Sequence, residues 1–182
     1  MNRMKISAIR TLVYRQKFVW PGIFIAIFLT TCGYRFAGGG ELPGGVKTIA
    51  IDMLQNRTTE TGLENIVTND LIYEFIRKGR TVEKNLKKAD AVLSGVIASS
   101  RITTISRQAQ QSALERQITI TVNLKLTRSD GSVIWSVSGI SDYEAYNVSA
   151  DKQVTEMNKR QAIETLSKRL AEKIQNRMTE NF

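Results

Sequence analysis

The sequence predicts an α+β fold: a two-layer sandwich in which two helices pack on one face of a mixed, mostly antiparallel sheet. Three observations lead to this prediction. Residues 61–78 and 151–177 repeat apolar side chains at three- and four-residue spacing, as amphipathic helices do. Residues 117–126 instead alternate apolar and polar side chains, as a strand with one buried face does. The order strand, helix, several strands, helix places both helices beside one sheet.

The first predicted strand spans residues 46–53 and precedes the first helix. Gly79 suits the left-handed residue that ends a helix, and the preceding Arg77 and Lys78 suit its negative end. A short strand is expected at 81–83. The apolar stripe of the helix consists of Leu63, Ile66, Val67, Leu71, Phe75 and Ile76.

A long strand is predicted over 91–106, with Gly95 as a bend or bulge. The next strand buries its alternating residues, Ile118, Ile120, Val122, Leu124 and Leu126. Residues 129–131, Ser-Asp-Gly, are a hairpin signal, so the chain is expected to return as a strand over 133–146. That strand is predicted to place three apolar side chains on a common face: Val133, Trp135 and Val137.

The last helix has Ser149 or Asp151 available as its cap. Its apolar stripe consists of Ala162, Ile163, Leu166, Leu170, Ile174 and Met178. The remaining residues carry both signs of charge, a pattern typical of a solvated face. That face holds Lys159, Arg160, Glu164, Lys168, Arg169, Glu172 and Lys173.

The composition argues against catalysis and metal binding. The chain has no histidine, which excludes histidine-dependent triads and zinc sites, and its single cysteine excludes an internal disulfide. Two acid pairs, Glu60 with Glu64 and Asp142 with Glu144, are candidates for acid–base chemistry, but nothing in the sequence raises their pKa values. No enzyme activity, cofactor or metal is therefore expected.

Residues 1–31 have the pattern of an export signal. Five basic residues precede a short apolar run over 18–29, and residues 1–31 contain no acid. At ~1.5 Å per residue a helix over that run is too short to span a ~30 Å hydrocarbon core. Their removal leaves 151 residues, enough for one domain. The formal charge of +9 falls to +4, because 21 of the 26 basic residues and all 17 acids remain, so no nucleic-acid partner is expected.

The segment 29–32, Leu-Thr-Thr-Cys, resembles the lipoprotein box of bacterial export signals. That resemblance implies a lipid anchor on Cys32, although Thr31 stands where a smaller residue is usual. Several acyl chains give lasting attachment, since each buried methylene contributes ~0.8 kcal/mol. We therefore expect a signal peptide at 1–31, a lipidated glycine-rich tether at 32–45 and a single α+β domain at 46–182.

The mature chain resembles the LptE family of lipopolysaccharide-assembly lipoproteins. The resemblance rests on ordered short matches behind the cysteine: Cys32 to Phe36, Leu42-Pro43, Lys47 to Ile51, Asn56 to Thr58, Gly62 to Glu64, Asp70, Phe75 and Ala89 to Gly95. It implies an outer-membrane lipoprotein that plugs the LptD β-barrel, helps it to assemble, and takes part in lipopolysaccharide transport to the outer leaflet. Carried over by position, the family's lipopolysaccharide contacts fall on Arg107 and Lys152, with Arg101 and Arg116 as neighbours.

Two other functions remain open on the sequence. The first is a lipid-anchored envelope chaperone or structural lipoprotein with a different client, which would share the anchor and the fold. The second is a binding module held at the inner membrane by an uncleaved helix over residues 18–29.

Overall fold

The protein is described here from a computed structural model that covers residues 41–105 and 114–179. The predicted signal peptide, Cys32 and Arg107 lie outside these residues. A short 3-10 turn at Pro43–Gly45 comes first. The strands are β1 Thr48–Ile51, β2 Gln55–Asn56, β3 Thr81–Val82, β4 Ala91–Ile105, β5 Glu115–Arg128 and β6 Val133–Asn147. The helices are α1 Leu63–Arg77 and α2 Lys152–Thr179.

Within these residues the strands form one mixed sheet in the order β3-β1-β4-β5-β6, with β2 also paired to β4. Strands β1 and β2 run parallel to β4, and β3 runs parallel to β1. Strands β4, β5 and β6 are long and antiparallel, so that Ile118 lies between Ile102 and Glu144. The predicted α+β class is confirmed.

Both helices cover the same face of the sheet and share one hydrophobic core with it. The alternating residues of β5 and the stripe of α2 are buried as the sequence predicts. Burial of a side chain of this size stabilises the fold by ~1.5–3 kcal/mol. The largest fully buried members are Ile49 of β1, Leu54 before β2, Leu63, Leu71 and Phe75 of α1, Leu93 and Ile97 of β4, Ile118, Ile120 and Leu126 of β5, and Leu166 and Leu170 of α2.

The two helices run in the same direction, side by side. The start of α1 is tied to α2 by an ion pair between Glu60 and Lys159, and its end by one between Arg77 and Glu172. Helix α2 has 28 residues and α1 has 15. Because Lys159 lies level with the residues before α1, about two turns of α2, or ~10 Å, extend beyond the start of α1.

Two residues that the sequence analysis singled out, Gly79 and Asp151, define the end of α1 and the start of α2. Gly79 has a positive φ of 76°, and its N–H and that of Arg80 donate to the carbonyls of Ile76 and Phe75, which is the Schellman arrangement. At the start of α2, Asp151 Oδ1 accepts from the N–H of Gln153 at 2.7 Å, so Asp151 is the cap.

Two details of the strands differ from prediction. Gly95 is not at a bulge; the register shift of β4 lies between Ile97 and Ser99. A glycine is needed at 95 because a Cβ there would lie 2.3 Å from the carbonyl oxygen of Asn123. Val133 is 58% exposed and does not share the buried face of Trp135, because a second register shift precedes Trp135 in β6.

The first and fourth strands are joined by a carboxylate. Asp90 Oδ2 accepts from the backbone N–H of Thr48 at 2.9 Å and of Lys47 at 3.1 Å, while the Thr48 hydroxyl accepts from the Asp90 N–H. These backbone donors hold the pKa of Asp90 below its usual range. The carboxylate therefore stabilises the start of the parallel pairing between β1 and β4.

We expect Asp90→Ala to lower the free energy of unfolding at neutral pH. A depressed folded-state pKa contributes stability that is present above the unfolded value of ~3.9 and is lost as the pH falls through the folded value. The difference from the parent should therefore shrink in acid. Urea unfolding between pH 7 and pH 2 measures it, with Glu164→Ala, an exposed acid on α2, as the control. A difference that does not change with pH would contradict the assignment.

Candidate functional site

A groove of about 490 Å³ lies between the amino-terminal parts of the two helices. We call this the helix groove. The groove forms because α2 extends beyond the start of α1. The first two turns of α2 therefore have no part of α1 packed beside them. The lining residues are Glu60, Thr61, Leu63, Ile66, Lys152, Gln153, Glu156, Met157, Lys159, Arg160 and Ile163.

The helix groove combines an apolar lining with a basic rim. Its apolar side chains come from both helices, and one of them, Met157, is 67% exposed. Lys152 and Arg160 are both exposed on α2 and stand on either side of Met157 in the sequence. An exposed methionine between two cations suits a ligand that has both an apolar part and an anionic part.

Three of the lining residues, Glu60, Glu156 and Lys159, form an ion-pair cluster that joins the two helices. Lys159 Nζ lies 3.2 Å from Glu60 Oε2 and 3.0 Å from Glu156 Oε2. Partial burial lowers the pKa of Lys159, but hydrogen bonds from its ammonium to the two carboxylates outweigh that effect, and the pKa is raised overall. The lysine is thus held charged and occupied, and the accessible cations of the rim are Lys152 and Arg160.

Leu114, which follows the segment that contains Arg107, lies beside the residues that lead into α2. Leu114, the first described residue after that segment, accepts a hydrogen bond at its carbonyl from the N–H of Val148 at 2.8 Å. Val148 precedes Lys152 by four residues. The structure thus places Lys152 on the rim of the helix groove, whereas Arg107 itself is outside the described residues.

Arg101 and Arg116, predicted as neighbours of this site, lie on opposite faces of the sheet. Arg116 shares the helix-facing side of β5 with Ile118, and its charge contributes to lowering the pKa of Glu156. The main cause of that lowering is the hydrogen bond from Lys159. Arg101 is paired in register with Thr119, so it projects from the face that no helix covers. Of the two, only Arg116 faces the amino-terminal turns of α2.

The acid pairs that the sequence offered for catalysis have structural partners. Glu64 accepts from Asn56 Nδ2 at 2.8 Å, and its pKa is lowered, mainly by a hydrogen bond from its own backbone N–H. Asp142 and Glu144 share the helix-facing side of β6, and both contact Arg169. Each of these acids is thus engaged by a donor or a cation within the fold, and the lowered pKa of Glu64 is the opposite of what a general acid needs.

No cluster of three or more acid or cysteine side chains suited to a metal ion occurs among residues 41–105 and 114–179. Over the same ranges, neither helix has the length and apolar content needed to cross a bilayer.

Solved structures with a similar fold include bacterial lipoproteins. The chain is similar to an uncharacterized lipoprotein B from Nitrosomonas europaea, with a TM-score of 0.56, 14% identity, and coverage of 82% of this chain and 92% of that one. It is also similar to a minor lipoprotein from Acinetobacter baumannii, with a TM-score of 0.52, 14% identity, and coverage of 74% and 92%. At this identity the similarity establishes the fold. No curated protein matches the chain in sequence.

The fold and the helix groove together define an α+β domain with an amphiphilic groove between parallel helices. A family model described as LptE, lipopolysaccharide-assembly, matches residues 46–178. The chain belongs to the LptE family, as the sequence resemblance predicted. This family comprises non-catalytic lipoproteins of lipopolysaccharide assembly.

Sequence reasoning missed part of the rim of the helix groove. Arg160 was interpreted as one of the solvated charges of α2, and Met157 was assigned no role. A usable signal was present: Val154 and Met157 are apolar, one turn apart, and lie outside the buried stripe of α2. Apolar residues off the core stripe of an amphipathic helix indicate a second contact surface.

We expect Lys159→Met to destabilise the protein by about 1 kcal/mol, between the values for exposed and buried ion pairs. The methionine keeps the stem but leaves Glu60 without its cation across the helices. Urea unfolding measures the loss, with Lys168→Met, an exposed lysine on the same helix, as the matched control. In a double-mutant cycle with Glu60→Gln, a coupling energy near zero would show that the pair does not join the helices.

Proposed function

We propose that this chain is a lipid-anchored outer-membrane protein that plugs the LptD β-barrel and contacts lipopolysaccharide through the helix groove. The observation that carries the proposal is the basic rim around an apolar lining, in a domain whose residues 46–178 match the LptE family. The family places the protein in lipopolysaccharide assembly, and the groove supplies a surface chemically suited to that substrate.

Lipopolysaccharide has acyl chains and phosphate groups, and the helix groove offers a match for each. Met157 and the partly buried Ile66 provide apolar contact area, while Lys152 and Arg160 provide donors for phosphate oxygens. Arginine binds phosphate in a bidentate manner and lysine acts as a compact point charge. We propose Arg107 as a further phosphate contact, because its segment joins β5 beside the residues that lead into α2.

The anchor is proposed at Cys32. Lipidation there would leave eight residues, 33–40, before the described domain, a reach of at most ~28 Å. A domain so tethered stays close to the membrane surface, within reach of the periplasmic mouth of a barrel in the same membrane. Several acyl chains are needed for such lasting attachment, because a single chain binds a bilayer only marginally.

The uncovered face of the sheet is suited to the wall of a barrel, whose interior is polar. Ser99, Thr121 and Ser141 lie side by side across β4, β5 and β6 on that face. Hydroxyl side chains lose little conformational entropy when they are ordered. They can also both donate and accept hydrogen bonds, so they form contacts with varied polar partners.

The first test is capture from outer membranes. A tagged full-length chain is expected to incorporate labelled palmitate and to retain a large β-barrel protein during purification. Cys32→Ala is expected to lose the label and the membrane attachment. If the barrel never co-purifies and another envelope protein does, the protein serves a different client. Retention of residues 1–31 in the intact mass would instead indicate an uncleaved inner-membrane anchor.

The second test concerns lipopolysaccharide. We expect Lys152→Glu combined with Arg160→Glu to weaken binding of purified lipopolysaccharide at least tenfold, or about 1.4 kcal/mol, because each charge-assisted hydrogen bond contributes ~1.5–3 kcal/mol. The matched control is Lys168→Glu with Arg177→Glu, which makes the same charge change at exposed positions of α2 outside the groove. Equal affinity of the two double variants would remove the groove from the site. Arg107→Glu is measured separately.

A further inference from the structure

Strand β6 is a long edge of the sheet. It has 15 residues and pairs with β5 on one side only, whereas the strand at the opposite edge, β3, has two residues. An edge strand presents outward-facing N–H and C=O groups, which are a template for pairing with a strand of another chain. A very short edge such as β3 offers little template, so β6 is the edge at which such pairing would occur.

Side chains of α2 occupy outward carbonyl groups of β6. Lys173 Nζ donates to the carbonyl of Ser141 at 2.8 Å, and Arg169 Nη2 donates to the carbonyl of Tyr143. Asn158 Nδ2 donates to the carbonyl of Asn147 at 2.9 Å. In an antiparallel pair, alternate residues direct their backbone groups away from the partner strand. The spacing of the three carbonyls, at odd-numbered positions, fits that alternation.

The backbone N–H of Tyr143 is occupied as well. It donates to Asp142 Oδ1 at 2.9 Å. At Tyr143 both edge groups are therefore satisfied by side chains. A strand arriving from another chain would have to displace these contacts before it could pair.

Arg169 is held in position by carboxylates as well as by the carbonyl. Its Nε lies 3.1 Å from Asp142 Oδ2, and its Nη1 contacts Glu144 Oε2. Both acids project from β6 toward α2, which runs antiparallel to the strand and lies along it. The guanidinium thus contacts the Tyr143 carbonyl at the sheet edge while Asp142 and Glu144 balance its charge. Displacing the guanidinium would leave these two acids without their cation.

We infer that Asn158, Arg169 and Lys173, with Asp142, form an edge guard that closes β6 to strand addition, and that the excluded partner is a second copy of this chain. Two β6 edges are identical and can pair antiparallel about a two-fold axis, so each copy is a ready partner for another. The inference goes beyond the proposed function and does not rest on it.

The test uses two differently tagged copies of the full chain, expressed together and captured through one tag. Arg169→Ala with Lys173→Ala is expected to co-capture at least tenfold more of the second copy than the parent chain does. Lys168→Ala, at the neighbouring exposed residue, is the matched control and should resemble the parent. Adding Ala145→Pro should abolish the gain, because Ala145 shares the outward alternation of Tyr143 and Asn147, and proline removes the N–H there.

Each outcome decides the question. A folded double variant that co-captures no more than the parent overturns the inference, and so does co-capture that survives Ala145→Pro, since it would then proceed through another surface. Circular dichroism of the captured protein reports folding. If the double variant is unfolded, Lys173→Ala alone, which exposes only the Ser141 carbonyl, is measured in the same assay. A co-capture level equal to that of Lys168→Ala would then count against the guard.

Discussion

Strand β4 can pair closely with its neighbours because position 95 has no side chain. A Cβ on Gly95 would lie 2.3 Å from the Asn123 carbonyl oxygen and 2.5 Å from Leu124 Cδ2, both in β5. On its other side β4 pairs with β1 through residues 91–93 and with β2 through residues 96–97, directly flanking the glycine. Moving β4 away from β5 would therefore disturb the whole centre of the sheet, and with it the floor on which both helices pack.

Local periodicity was sufficient to predict most of the fold. The alternation in β5, the four-residue repeat in α2 and the glycine after α1 each act within a few residues, so they can be interpreted without a partner. The prediction for Val133 failed for the opposite reason. A register shift between Leu126 and Thr127 of β5 inserts one extra residue in β6, and an insertion of one residue turns every following side chain to the other face.

The candidate site was harder to predict than the fold. Lys152 came from the family resemblance, whereas the helix groove depends on the parallel packing of two helices of unequal length. That packing rests on contacts between residues far apart in the sequence, such as Lys159 with Glu60, 99 residues earlier. No periodicity within α2 reports such a contact. The apolar stripe predicts which face of α2 is buried, but not how far the helix extends beyond its neighbour.

The charged face of α2 shows why mixed charge alone is an unreliable sign of a solvated surface. Lys159 joins the two helices, while Arg169 and Lys173 reach the edge of the sheet. All three are among the residues that a helical projection assigns to the solvent side. Their long stems allow the charged groups to extend along the helix surface to partners on adjacent elements, as amphipathic side chains do.

The same geometry accounts for the acids that the sequence offered for catalysis. Asp142 and Glu144 lie on one face of β6 because strand residues alternate, and that face meets α2, where Arg169 is held between them. Two carboxylates that share one arginine hold its side chain in place, so their role in this fold is to position that side chain. Charges committed to such contacts are not free for a ligand, whereas Lys152 and Arg160, in the amino-terminal turns of α2, face solvent.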